Sequence, residues 1–311
     1  MEGDPPSDAW TAAAASSVRR QRSDMVRTIW ALAWPVIVTF LLESLVGLID
    51  TLMVGRLGAS AVAAVGVGAQ ILSAVSVAMT AVGTGTLALV ARHVGARQRH
   101  DAERALAQSL LAAFVLSLIG VVPVIVFAPQ LVRLFGVDPP VVEFGSAFVR
   151  TVMFSIPQSA ILFVIGSALR GAGDTRTPLA IGIVVNVINI VGNYVFIFGK
   201  LGLPAFGVRG SALATTLAFS VGTVMGVVLL ARGRLVLRLH GSLLRPHVDT
   251  IRRVLAIGYP AAGEQMLMQI GFFFYLAFAA RYGTKELNRI ADRTKATNPN
   301  AASHQALLCR L

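Results

Sequence analysis

Thr28–Met53 reads TIWALAWPVIVTFLLESLVGLIDTLM, and only Glu43 and Asp50 in it carry charge. As an α-helix, a run of this length crosses a hydrocarbon core of about 30 Å. Thr39, Glu43, Gly47 and Asp50 recur at i, i+4, i+8 and i+11, so they share one stripe of that helix. An ionisable side chain at membrane depth is expensive, which makes Glu43 and Asp50 functional candidates. Pro35 and Gly47 are positions where the helix can bend, since proline frees a carbonyl and glycine packs nothing. Pro35 is the expected conformational hinge.

The rest of the chain repeats this character. Its 311 residues are 55% hydrophobic and 14% charged, with a mean hydropathy of +0.72. Ordinary globular chains carry roughly 25% charged residues. That balance disfavours a soluble enzyme and a nucleic-acid binder, and the single cysteine, Cys309, rules out an internal disulfide. The net charge of +12 comes from arginines lying between apolar runs, as membrane topology requires. Metalloprotease, Walker-loop, GxSxG and paired-cysteine motifs do not occur, so no catalytic residue is assigned and no enzyme is expected. No cofactor is expected beyond a coupling ion.

Seven apolar runs predict an all-α, polytopic bundle with spans near 28–53, 61–90, 106–128, 142–168, 178–199, 209–231 and 252–280. The connecting arginines alternate. One side carries sixteen, from Arg19 to Arg253, with Arg170 and Arg176 counted in the loop after the fourth span. The other side carries Arg56, Arg133, Arg150, Lys200 and Arg209. The positive-inside rule then places the N-terminus in the cytoplasm of a multi-pass plasma-membrane protein, with membrane lipid as a partner.

An internal repeat adds organisation. Arg27-Thr-Ile-Trp-Ala-Leu-Ala-Trp-Pro35 matches Arg252-Arg-Val-Leu-Ala-Ile-Gly-Tyr-Pro260 in arginine, alanine, aromatic and proline. The copy stops at Thr284, where a polar tail replaces an apolar helix. The expected organisation is a polar tail (1–26), a first six-helix lobe (27–235), a basic loop (236–251), the first helix of an incomplete second lobe (252–283) and a polar tail (284–311). Such a chain is a truncated one, its second lobe missing or supplied in trans.

A second polar stripe lies in the fifth span, where Asn186, Asn189 and Asn193 fall at i, i+3 and i+7. Two polar stripes in an apolar bundle face a common interior. A carboxylate with amide carbonyls and hydroxyls suits a proton or Na⁺, because hard cations favour oxygen. The plainer alternative is that the asparagines only link helices by hydrogen bonds. Gln70, Ser73, Thr80 and Thr84 trace a weaker stripe on the second span, and Glu264 on the seventh is a further secondary candidate.

Ile49-Asp50-Thr-Leu-Met-Val-Gly55, Leu169-Arg-Gly-Ala-Gly-Asp-Thr-Arg-Thr-Pro178, Asn189–Gly199 (NIVGNYVFIFG) and Gly207-Val-Arg-Gly-Ser-Ala-Leu-Ala-Thr215 together resemble the multidrug and toxic compound extrusion (MATE) antiporters. The likeness covers about residues 27 to 283. It implies half of a twelve-helix, two-lobe transporter that exports cationic, amphipathic compounds in exchange for H⁺ or Na⁺. It further implies a first-lobe cation site at Asp50, Asn189 and Thr215. A second aspartate of the family's site falls on Asn193 here, leaving Asp50 as the certain carboxylate. Related exporters of lipid-linked or polysaccharide cargo, and a remnant that no longer transports, are the rival readings.

Overall fold

The computed structural model describes residues 7–271, apart from positions 138 and 234. The described secondary structure is helical throughout, in two compact units that divide after Ala262. In the first unit, α1 is Ser7–Gly55, α2 Ala59–Gly95, α3 Arg99–Val126, α4 Ala128–Arg133, α5 Pro139–Val152, α6 Ile156–Gly171, α7 Arg176–Phe198 and α8 Val208–Ala231. Residues 248–271 are helical (α9), and 263–271 of them belong to the second unit. Among the described residues, six segments are long and apolar enough to cross a membrane, beginning at Met25, Ser60, Arg99, Pro139, Arg176 and Val208. The expected seventh span, 252–280, is described only to 271, and the 284–311 tail lies outside the described residues.

Three boundaries differ from the sequence reading. The first helix starts inside the expected polar tail, at Ser7. The third begins at Arg99, seven residues early, because polar residues before the apolar run still pair helically: Arg99 Nε lies 3.1 Å from Glu103 at i+4. The fourth span is not one continuous helix. Pro157 has no N–H and its ring would strike the carbonyl four residues back, so α5 ends at Val152. A 3₁₀ turn, Met153–Ser155, bridges to α6, with Ser155 Oγ donating to the Val152 carbonyl at 2.7 Å.

Small residues let the helices approach closely, which membrane bundles need where lipid and side chain are equally apolar. Ala105, Leu106, Ala113, Ile165 and Leu169 form the interior between α3 and α6, each fully buried. At Gly258 the closest neighbours are backbone atoms of Ala81 on α2, and Gly85 likewise faces the Val254 backbone. A β-carbon at 258 has nowhere to go. Gly258→Val should therefore destabilise the unit by about 1–3 kcal/mol, the usual cost of overpacking. Thermal unfolding in lipid nanodiscs reads this, and an unchanged melting curve would show that α9 does not hold this position.

One polar arrangement ties a loop to the bundle. Gln108, 1% exposed, donates through Nε2 to the carbonyls of Leu243 (2.7 Å) and Arg245 (2.8 Å), while its Oε1 accepts from His247 N (2.8 Å). Five residues earlier, the buried Glu103 carboxylate accepts from Arg238 N at 3.1 Å and lies 3.5 Å from His240 Nδ1. These two side chains satisfy backbone groups of residues 238–247, a connection whose regular structure is one short 3₁₀ turn, Gly241–Leu244.

Candidate functional site: a buried carboxylate–amide cluster

The cluster is built by three helices that pack on one another, α1, α7 and α8. Helical spacing places Asp50 on the face of α1 turned to α7, and Asn189 and Asn193 one turn apart on the facing side of α7. Asn193 is fully buried and Asn189 nearly so. Asn193 Nδ2 donates to Asp50 Oδ1 at 2.5 Å and to Asn189 Oδ1 at 3.1 Å. Asn189 Nδ2 donates to Thr215 Oγ1 on α8 at 3.2 Å, and that hydroxyl donates on to the Ser211 carbonyl at 3.0 Å. The chain of bonds thus runs from carboxylate to amide to amide to hydroxyl across all three helices.

The α7–α8 approach that makes this reach feasible depends on two glycines. A β-carbon on Gly192 would sit 3.0 Å from Ala214 Cβ, and one on Gly210 would sit 2.5 Å from the Phe196 carbonyl oxygen. Without them, Thr215 would stand off from Asn189.

The Asn189 amide can sit either way round. In the arrangement above, its oxygen lies 3.1 and 3.3 Å from the two carboxylate oxygens of Asp50. Acceptor then faces acceptor unless a proton or a cation stands between them. Turned over, the amide NH₂ donates to both carboxylate oxygens and its oxygen accepts from Thr215 Oγ1 at 3.2 Å, but its nitrogen then lies 3.1 Å from Asn193 Nδ2, donor against donor. Each orientation therefore suits one ionisation state of Asp50. Asn193 Oδ1, on the same amide as Nδ2, is buried with no hydrogen-bond partner among the described residues. Such orphaned acceptors are costly in a dry interior. With Asp50, Asn189 and Thr215, the oxygens present suit a proton or a small hard cation.

The other expected residues are placed elsewhere. Glu43 lines a separate cavity. Asn186 is half-buried and takes no part in these hydrogen bonds. Gln70 is half-buried on α2, and Glu264 is exposed on the stretch of α9 in the second unit. Pro35 is buried inside α1, which runs through it unbroken, with Thr39 Oγ1 donating to its carbonyl at 2.8 Å. Arg170 corrects the sequence reading. It does not stand in a cytoplasmic loop; it is the penultimate residue of α6, and its side chain lines the same cavity as Glu43.

Six helices of membrane-spanning length among the described residues, with a carboxylate–amide cluster between three of them, make a polytopic membrane bundle with a polar interior. The pattern of the MatE family matches residues 35–195, and the chain belongs to that family of transporters. It is 29% identical over 273 residues to an uncharacterized transporter, YisQ, of Bacillus subtilis, covering 88% of this chain and 60% of that protein. It is 29% identical over 246 residues to the probable multidrug resistance protein NorM of Thermotoga maritima, covering 78% and 52%. Among solved structures, an outward-facing multidrug resistance MATE transporter of the MOP superfamily superposes with a TM-score of 0.75 at 26% identity, over 81% of this chain and 55% of that one. The chain spans about half the length of the relatives it matches.

Proposed function

We propose that this chain forms the ion-coupling lobe of an exporter that moves cationic, amphipathic compounds out of the cell in exchange for H⁺ or Na⁺. The observation that carries the reading is the hydrogen bond that Asn193 donates to Asp50, which joins a carboxylate of the α1 span to the amide pair on α7. Adding a proton or cation there changes which amide orientation is satisfied. That gives the ion differential affinity for two arrangements, which coupling requires. Alternating access moves one bundle against another around a central site, so export is to be measured with a second lobe joined to this one. The test is dye counterflow in proteoliposomes under an imposed proton or Na⁺ gradient. Absence of gradient-driven flux with both lobes present would remove the reading.

The proposed setting is a plasma membrane with the N-terminus in the cytoplasm. Reporter fusions after residues 95, 172 and 240 should then report cytoplasm, and fusions after 135 and 203 the opposite side. A consistent inversion would overturn the orientation.

A further inference from the structure

The connection between α8 and α9 presents a guanidinium that the bundle leaves unanswered. Along 235–240 successive side chains turn to opposite sides, as in any extended chain. Leu237 is fully buried, and Leu235 and Leu239 pack on the interior between α3 and α6, while Val236, Arg238 and His240 are exposed. The backbone is held from two directions. Arg238 N donates to Glu103 Oε1 at 3.1 Å, and Leu239 N donates to the Leu230 carbonyl at 3.3 Å.

The Arg238 side chain has a seat of its own. It lies over Gly233, in the turn after α8, where a β-carbon would meet Arg238 Cδ, Nε and Cζ. Gly233 has φ +64°, a conformation that glycine takes without strain. Nearby carboxylates already have other cations: Arg99 Nε lies 3.1 Å from Glu103 Oε1, and Arg104 lies 3.7 Å from Asp101. Among the described residues the Arg238 guanidinium has no hydrogen bond and no ion pair, which leaves its five donors for an outside partner.

Depth and charge say which partner. Glu103 stands three residues before Leu106, where the apolar run of α3 begins, about 4.5 Å of helix rise. Headgroup layers reach about 5–7 Å beyond the hydrocarbon on each side, so Glu103 and the residue bonded to it are at headgroup level. Arg99 Nε and Arg238 N share Glu103 Oε1, so two arginines meet one buried carboxylate there. That is a local excess of one positive charge.

We propose that Arg238 binds the phosphate of an anionic phospholipid, with Arg99 beside it and the exposed Val236 against the lipid's glycerol and upper acyl carbons. The planar fork matches two phosphate oxygens. A headgroup of net charge −1 answers the local excess, whereas a choline headgroup brings its own cation. A guanidinium already seated over Gly233, on a backbone already clamped, loses little freedom on binding. The proposal needs neither the exporter reading nor a choice of membrane side.

Native mass spectrometry of the purified 311-residue chain in detergent tests it, by titration with phosphatidylglycerol, phosphatidylcholine and glycerol 3-phosphate. The first phosphatidylglycerol adduct should form about tenfold more tightly than the phosphatidylcholine one, the scale of a charge-assisted hydrogen bond. Arg238→Gln should bring the two lipids level, since only the backbone of Arg238 holds the connection in place. Arg253→Gln removes the same charge from an exposed position on α9 and should leave the preference unchanged. Should Arg238→Gln fail to fold by circular dichroism, Arg238→Lys, which keeps the charge and loses the fork, should reduce the preference. Equal binding of both lipids by the parent, or a preference that survives in the Arg238 variant that folds, overturns the site. So does an equal loss in Arg253→Gln, which would mean diffuse surface charge. Glycerol 3-phosphate binding as tightly as the lipid would assign the seat to a soluble phosphate and overturn the lipid as well.

Discussion

Asp50→Asn should bring gradient-driven export down to the level of protein-free vesicles, in a transporter carrying this lobe joined to a second. Asp50 is the carboxylate of the α1–α7–α8 cluster, hydrogen-bonded to Asn193 and beside Asn189. An amide in its place has nearly the same shape and never ionises. Its NH₂ would donate permanently to Asn189 Oδ1, holding the arrangement that suits the protonated aspartate. An ion with equal affinity for two states shifts neither, so the driving gradient would have nothing to act on. Helix content and expression should stay normal, because the replacement leaves no new buried charge. Export that matches the parent across the pH range would place coupling elsewhere, and Glu43 would be the next residue to replace.

The second large effect is expected from Gly210→Val, on stability and site alike. A β-carbon at 210 would lie within 2.8 Å of the Phe196 carbonyl oxygen, its carbon and Ile197 N. All three are backbone atoms of α7, which cannot swing aside as a side chain can. Overpacking of this kind costs about 3 kcal/mol, at the upper end of the usual range. Relief requires α8 to move off α7, and Thr215 moves with it, so the 3.2 Å contact from Asn189 opens. Melting in nanodiscs should fall for Gly210→Val and fall less for Gly210→Ala. A Gly210→Val variant with the parent's melting curve would show that the α7–α8 approach is set elsewhere.

What could be read from the amino acids follows from which physics leaves a linear trace. Apolar runs mark the spans because bilayer thickness fixes a minimum length. Helical spacing alone puts Asp50 on one stripe and Asn189 with Asn193 on another, and the structure brings those stripes together. Thr215 has no such trace; it lies among Ser211, Thr216 and Ser220 on α8, and only the family resemblance singles it out. Asn186 shares the spacing of its neighbours but not their contacts, since one helical face is wider than one site. The break at Pro157 is visible as a proline, yet membrane helices often tolerate proline, so an apolar run passes over it. Arg170 was hidden by direction. Sequence position puts it at a membrane edge. Only the backward lean of helical side chains over Gly166, where a β-carbon would sit 3.2 Å from Arg170 Nη1, brings it inside. Glycine four residues before a terminal arginine is the signal that would have found it.

The hold of Gln108 and Glu103 on residues 238–247 bears on where the polypeptide has slack. Loops are ordinarily the compliant parts of a protein, absorbing displacement so that the elements they connect stay rigid. This one is clamped at both ends of its path and has lost that compliance. It behaves as a fixed strap of the six-span bundle rather than as a leash. The helix α9 follows directly from Val248, and its Gly258 lies against the Ala81 backbone of α2, so the strap passes into a packed helix without slack.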